Sequence, residues 1–261
     1  MDDPVARTYP EVDVVSKALR KGLGPALPLA AGLVDELFTP LPRGYDYYPS
    51  SFFLLSSRAL GLNTVDLTPL GCAIEALSMG FRNLTLLTQS KERANPLPAQ
   101  DHGHEGGMRL LVTDGLIVLS HRFLIDLHRE EFQSIIPIYS DVIGGMTGIV
   151  EAAGDLPSGL VQVQRSLMDL AVRSVVQLAG QPNERVRVVG EVAAGIDRLL
   201  SEFRDRKWRG GRSVVVDKMF EFAGSLSDGR RWCLPLAHYL SLVGQALGGT
   251  PAMDWDGEHS R

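Results

Sequence analysis

The sequence predicts an all-α, single-domain helical bundle of about ten helices, and three observations carry that expectation. Apolar residues recur at three- and four-residue intervals along most of the chain, the period of a helix with one buried face. Stretches that alternate apolar and polar residues, as half-buried strands do, are scarce. Helix-start signals punctuate the periodic stretches: Thr68-Pro69 joins a capping hydroxyl to a proline at a first helical position, and Pro182-Asn183-Glu184 marks another beginning.

The periodicity places helices over 12–23, 27–38, 50–61, 68–91, 107–129, 131–152, 158–180, 183–207, 214–225 and 232–247. Residues 92–107 hold two prolines and three glycines, which breaks regular helix and makes this the expected main loop. Residues 1–10 and 249–261 are polar or rich in Pro and Gly and read as flexible ends, so the helical domain is expected over 11–248.

A net charge of −5 and a pI near 5.7 argue against a dominant nucleic-acid or anionic-membrane role, which needs clustered cations. The local exception is Arg204, Arg206, Lys207, Arg209 and Arg212. Read plainly, this is a solvated helix end whose cations complement the helix dipole; the other reading is a handle for an acidic partner. Cys72 and Cys233 lie far apart in apolar contexts and are expected to be core thiols, in neither a disulfide nor a metal site. Met1-Asp2-Asp3-Pro4 lacks the basic and apolar start of a signal peptide, and Arg58, Glu75 and Asp114 interrupt the apolar runs. A cytoplasmic protein without stable membrane insertion is the expectation.

Four segments, in order, resemble the trans-polyprenyl diphosphate synthase family. Arg109-Leu110-Leu111-Val112-Thr113-Asp114-Gly115-Leu116 is similar to the family's Leu-Ala-Gly-Asp-x-Leu, with Thr113 in place of Gly. Ala73-Ile74-Glu75-Ala76-Leu77 resembles the Ala-x-Glu-x-x-His stretch that precedes the first acidic motif. Leu54-Leu55-Ser56-Ser57-Arg58-Ala59-Leu60-Gly61, after Pro49, is similar to the helix following Gly-Lys-Arg-x-Arg-Pro. Gln177-Leu178-Ala179-Gly180, continuing through Gly190 and Gly195 to Glu202, resembles the approach to the second acidic motif. With the helices between them, these segments cover roughly residues 40–212. The resemblance implies an all-helical fold whose long helices surround a deep apolar cavity.

The family's chemistry requires magnesium ions held by carboxylates on facing helices, because a hard dication prefers oxygen ligands. The first acidic motif aligns with Thr85, Leu86, Leu87, Thr88 and Gln89, which offer no carboxylate. The second aligns with Glu202, Phe203, Arg204, Asp205 and Arg206, where arginines adjoin the surviving Glu202 and would repel a dication. The diphosphate-binding Gly-Lys-Arg-x-Arg-Pro aligns with Gly44-Tyr45-Asp46-Tyr47-Tyr48-Pro49, so Tyr45, Asp46 and Tyr48 stand where the family has cations. The family's His is Ser78, and its later Lys aligns with Asp169.

This pattern implies a chain with no catalytic residues, metal site or cofactor of its own: a non-catalytic subunit of a two-component synthase. Its expected partner is a catalytic polyprenyl diphosphate synthase subunit, in a heterodimer or heterotetramer. The resemblance also implies a role in setting product length for a quinone side chain, with Phe81, Leu77 and Leu84 as the expected tunnel wall. The alternative is a stand-alone isoprenoid-binding or scaffold protein, which admits a homodimer.

Other groups carry two readings. His102-Gly103-His104-Glu105 presents two imidazoles and a carboxylate, but two ligands one residue apart lack the partners of a specific metal site. Asp114, His121 and His128 recur at sevens on one expected helix face, where satisfied polar groups of a core or interface are the plainer reading. Tyr45, Tyr47 and Tyr48 beside Phe52 and Phe53 form an aromatic contact patch, or else Tyr45 and Tyr48 simply fill the space of the lost lysine and arginine.

Overall fold

Nine consecutive residues, 49–57, are buried, which requires a helix enclosed on every side rather than one lying on a surface. The computed structural model describes residues 10–23, 33, 48–93, 102–152, 156–180, 184–207, 212–227 and 231–246. Among these it contains helices and no strand, and the buried side chains form one contiguous core. The helices are α1 (Pro10–Leu23), α2 (Tyr48–Ala59), α3 (Thr64–Arg93), α4 (His102–Ile125), α5 (Arg129–Ala152), α6 (Leu156–Ala179), α7 (Glu184–Lys207), α8 (Arg212–Ser227) and α9 (Leu234–Ala246).

The enclosed helix is α2, packed against α1, α3, α6 and α9. Phe52, Phe53, Leu54 and Leu55 are wholly buried, each worth about 1.5–3 kcal/mol of transfer free energy. Beside it, α3 packs on α1, α4 and α6, so α2 and α3 form the centre of the bundle. Helices α5, α7 and α8 lie farther out: α5 packs on α6, and α7 sits against α6 and α8. On α1, Val15, Leu19 and Leu23 recur at fours and are buried, while Asp13 and Lys17 pair at 2.6 Å on the outer side.

Local chemistry sets the ends. α2 stops in a Schellman motif: Leu62 N–H donates to Ser57 C=O at 2.9 Å and Gly61 N–H to Arg58 C=O at 3.0 Å, with Gly61 at φ 79°. Helix α3 begins at Thr64, four residues before the expected start. Asn63 Oδ1 accepts the Val65 N–H at 3.1 Å, and its amide donates to Asp66 Oδ2 at 2.6 Å. Asn63 is therefore the cap and not Thr68, whose hydroxyl instead donates to Thr64 C=O at 2.9 Å. Pro69 is thereby placed inside the second turn.

Three further boundaries differ from expectation. Residues 102–107 belong to α4 and 92–93 to α3, so helix occupies both ends of the expected 92–107 loop. The prolines, Pro96 and Pro98, fall outside the described residues, whereas Gly103, Gly106 and Gly107 cost a helix only about 1 kcal/mol each. α4 ends at Ile125 rather than 129, and His128 C=O instead accepts the Phe132 N–H at 2.9 Å as α5 begins. The expected 232–247 helix divides into a 3₁₀ turn at Arg231–Cys233 and α9. The expected helix 27–38 lies outside the described residues apart from Leu33, as do the ends 1–9 and 249–261.

Candidate functional site

Helices α3 and α4 make the most extensive helix–helix contact among the described residues, and buried polar groups tie them together. Asn83, fully buried on α3, donates from Nδ2 to Arg109 C=O at 2.6 Å and to Thr113 Oγ1 at 3.0 Å. Its Oδ1 accepts from Arg109 Nη1 at 3.2 Å. Thr113 also donates to Arg109 C=O at 3.0 Å, which completes a closed node between the helices. Arg109 is 7% exposed, so a guanidinium is held inside the bundle. Such a charge is tolerated only where hydrogen bonds replace its water.

Two turns earlier, Glu75 accepts the Ser50 hydroxyl at 2.7 Å and ties α3 to α2. Both residues are 1% exposed. Glu75 is therefore an interior tie between helices. Neighbouring Cys72 is a buried free thiol whose pKa is pushed up to about 12, first by burial and then by the charges of Glu75 and Asp126. Cys233 is likewise buried and free, as expected for core thiols.

The first-motif positions Thr85, Leu86, Leu87, Thr88 and Gln89 continue α3 beyond the node; their side chains lie outside the described residues. Asn83 precedes Thr85 by two residues, about 3 Å of helix rise. The charged side chain held at the node is thus a cation, opposite in sign to a magnesium ligand. Leu77 is 1% exposed, and Phe81 and Leu84, one and two turns on, are half-buried, with Phe81 packed on the core. Ser78 is half-buried.

Glu202, Phe203, Arg204, Asp205, Arg206 and Lys207 form the last turns of α7, and Arg212 opens α8; their side chains, and all of Arg209, lie outside the described residues. Tyr45, Asp46 and Tyr47 also lie outside, as does the side chain of Tyr48, the first residue of α2. Phe52 and Phe53 are wholly interior, which removes them from any aromatic contact patch. Asp169 is exposed on α6 and paired with Arg173 at 3.5 Å, so it belongs to an ion-pair chain on the outside of the bundle.

His102, His104 and Glu105 stand on the first turn of α4, not in a loop, with side chains outside the described residues. Asp114 and His121 are exposed on α4, and His128 lies past its end, so the sevenfold recurrence does not place three polar groups on one helix. His121 Nδ1 meets Ile117 C=O at 2.7 Å, and its ring stands edge-on to Tyr139 with centroids 5.4 Å apart. His128 Nε2 is 3.9 Å from Asp66 Oδ1.

A second buried tie joins α4 to α5, where the Ser120 and Tyr139 hydroxyls share a hydrogen bond. Burial pushes the Tyr139 phenol up to about 12, and the Ser120 contact opposes that rise. Ser56, Ser57 and Ser174 are buried hydroxyls without a hydrogen-bond partner. Among the described residues, no three His, Cys, Asp or Glu side chains come together as a metal site, and no helix is long and apolar enough to cross a membrane.

The Asn83 node is the feature that sequence reading missed. Its one signal is an asparagine within the buried part of a long helix, facing a segment whose first residue is arginine. No family model, curated protein or solved structure matches the chain.

Proposed function

We propose that this chain is the non-catalytic, regulatory subunit of a two-component trans-polyprenyl diphosphate synthase, resembling component I of heptaprenyl diphosphate synthase. The observation that carries the reading is the end of α3: the central helix reaches the first-motif positions with Thr85, Leu86, Leu87, Thr88 and Gln89 in place of carboxylates. The node just before them adds a buried guanidinium, which disfavours a dication nearby. The long helices packed around α2 and α3 are compatible with the fold that the resemblance implies.

In this role the partner bears both acidic motifs and performs the condensation. This chain contributes an apolar wall that fixes where the growing chain stops, for the side chain of menaquinone or a related quinone. Each added isoprene unit gains burial free energy until a bulky side chain blocks it. Phe81 is the wall residue proposed for that stop, flanked by Leu77 and Leu84.

The test is prenyl transfer with allylic and homoallylic diphosphates and magnesium. The chain alone is expected to give no product, and the chain with a catalytic subunit from the same cell is expected to give long-chain product. Phe81→Ala in the pair should lengthen or broaden the product distribution. Turnover by the chain alone would overturn the non-catalytic reading, and an unchanged distribution would remove Phe81 from the wall.

A further inference from the structure

Late in α3, one side of the helix is fastened to α4, and the residues proposed as the wall stand on the side next to it. At about 100° of turn per residue, Ala76, Gly80 and Asn83 share a sector about 60° wide, and Leu77, Phe81 and Leu84 share a second one, roughly 100° farther round. The first sector is the one that meets α4. Asn83 bonds there to Arg109 and Thr113, and a Cβ on Gly80 would stand 3.7 Å from Leu116 Cβ and 3.8 Å from Thr113 Cγ2.

The members of that sector differ in what they fix. Ala76 offers a methyl group and Gly80 no side chain, so their packing does little to resist a turn of α3 about its own axis. Hydrogen bonds are directional and weaken steeply off line. Asn83 Nδ2 grips a main-chain atom of α4, the Arg109 C=O, at 2.6 Å, and its Oδ1 is held by Arg109 Nη1 at 3.2 Å. The node therefore sets the rotation of α3 against the α4 backbone. A helix about 10–12 Å across carries its side-chain tips about 5–6 Å from the axis, so a turn of about 20° moves Phe81 by about 2 Å.

We propose that Asn83 is a positioning residue for the apolar wall: its node with Arg109 and Thr113 holds α3 at the one rotation that presents Phe81, Leu77 and Leu84 to the growing chain. The inference rests on the synthase reading and adds a determinant of specificity to it, one that acts through Phe81 and not by touching the isoprenoid. A wall held at one rotation stops the chain at one length. A wall free to turn stops it at several.

Asn83→Ala alone would strand Arg109, so the test combines Asn83→Leu with Arg109→Met, which replaces both polar partners by apolar groups of similar size and keeps the fold. In the full-length chain alone, 4-fluorophenylalanine placed at 81 should give one sharp fluorine resonance, and a broadened or split one in the double variant. Paired with a catalytic subunit from the same cell, the unaltered chain should give one dominant product length, and the double variant should spread it to shorter and longer chains. Thr113→Val, which removes only the Thr113 hydroxyl, should shift both readouts in the same direction but less, and it carries the test if the double variant does not fold. Leu240→Ala opens a cavity in α9, which packs on α2 and α8, and should leave both readouts as they are, separating rotation of α3 from general loosening. A fluorine resonance unchanged in the node variants, a product distribution that stays narrow in them, one already spread in the unaltered pair, or equal broadening by Leu240→Ala would each overturn the positioning role and leave the synthase reading standing. An unaltered pair that makes no long-chain product would overturn that reading and the proposal with it.

Discussion

The contacts that join α3 to α4 and those that join α5 to α6 use similar groups at opposite depths. Between α3 and α4, Arg109 bonds to Asn83 inside the bundle, with Thr113 closing the node. Between α5 and α6, Arg173 bonds to Asp141 at 2.6 Å and approaches Asp169 at 3.5 Å, with side chains 40% to 65% exposed. The outer chain has two full carboxylates and the inner one has an amide, so counting charges would rank the outer contact higher. Depth reverses that order. Water and salt screen the exposed pairs, while the buried node has no solvent to replace a lost bond. The Asp141 hydrogen bond still raises the Arg173 pKa, which shows that an evident electrostatic contact can coexist with a small contribution to stability.

Three measurements would break or sharpen the contrast. The largest effect is alkaline. Cys72 and Tyr139 have folded-state pKa values near 12, against ordinary values of 9.0 and 10.0. The unfolded chain ionises these groups first, while the folded chain keeps both protons. Their stabilising contribution is whole below about pH 9 and is lost as pH rises toward 12, of order 5 kcal/mol together. Denaturant titrations from pH 8 upward should show this slope, and Cys72→Ala with Tyr139→Phe should flatten it. A slope unchanged in the double variant would mean that burial does not govern these groups.

Next in size is Asn83→Ala, which strips Arg109 and Thr113 of their shared partner and should cost about 2–4 kcal/mol in urea unfolding. A loss below 1 kcal/mol would place the node on a par with the surface. Arg173→Ala should be the smallest, about 0–1 kcal/mol at low ionic strength and less in high salt. A loss there matching that of Asn83→Ala would erase the distinction between the two regions.

Much of the architecture was legible because helix periodicity is a local property. Val15, Leu19 and Leu23 announce α1 without knowledge of what covers them. Boundaries were less legible where two local signals competed. Thr68-Pro69 is a strong start signal, yet Asn63 makes the cap: its Oδ1 takes the Val65 N–H while Asp66 holds its amide in place. Gly103, Gly106 and Gly107 suggested a break, but helix tolerates glycine where it does not tolerate proline.

The site was less legible for a different reason. Asn83 and Arg109 are 26 residues apart, and nothing local to either says that they meet. The exposed side of α4 was hidden by the same limit. Leu111, Val118 and Ile125 have the composition of core residues, and only the packing shows that the bundle leaves them uncovered.

Gly195 on α7 sets how closely that helix and α8 approach. A Cβ there would stand 2.6 Å from Phe222 Cζ, so the aromatic ring of α8 rests directly on bare backbone. Glu202 lies seven residues farther along α7, about 10 Å of helix. A side chain added at 195 must either turn the Phe222 ring aside or part α7 from α8.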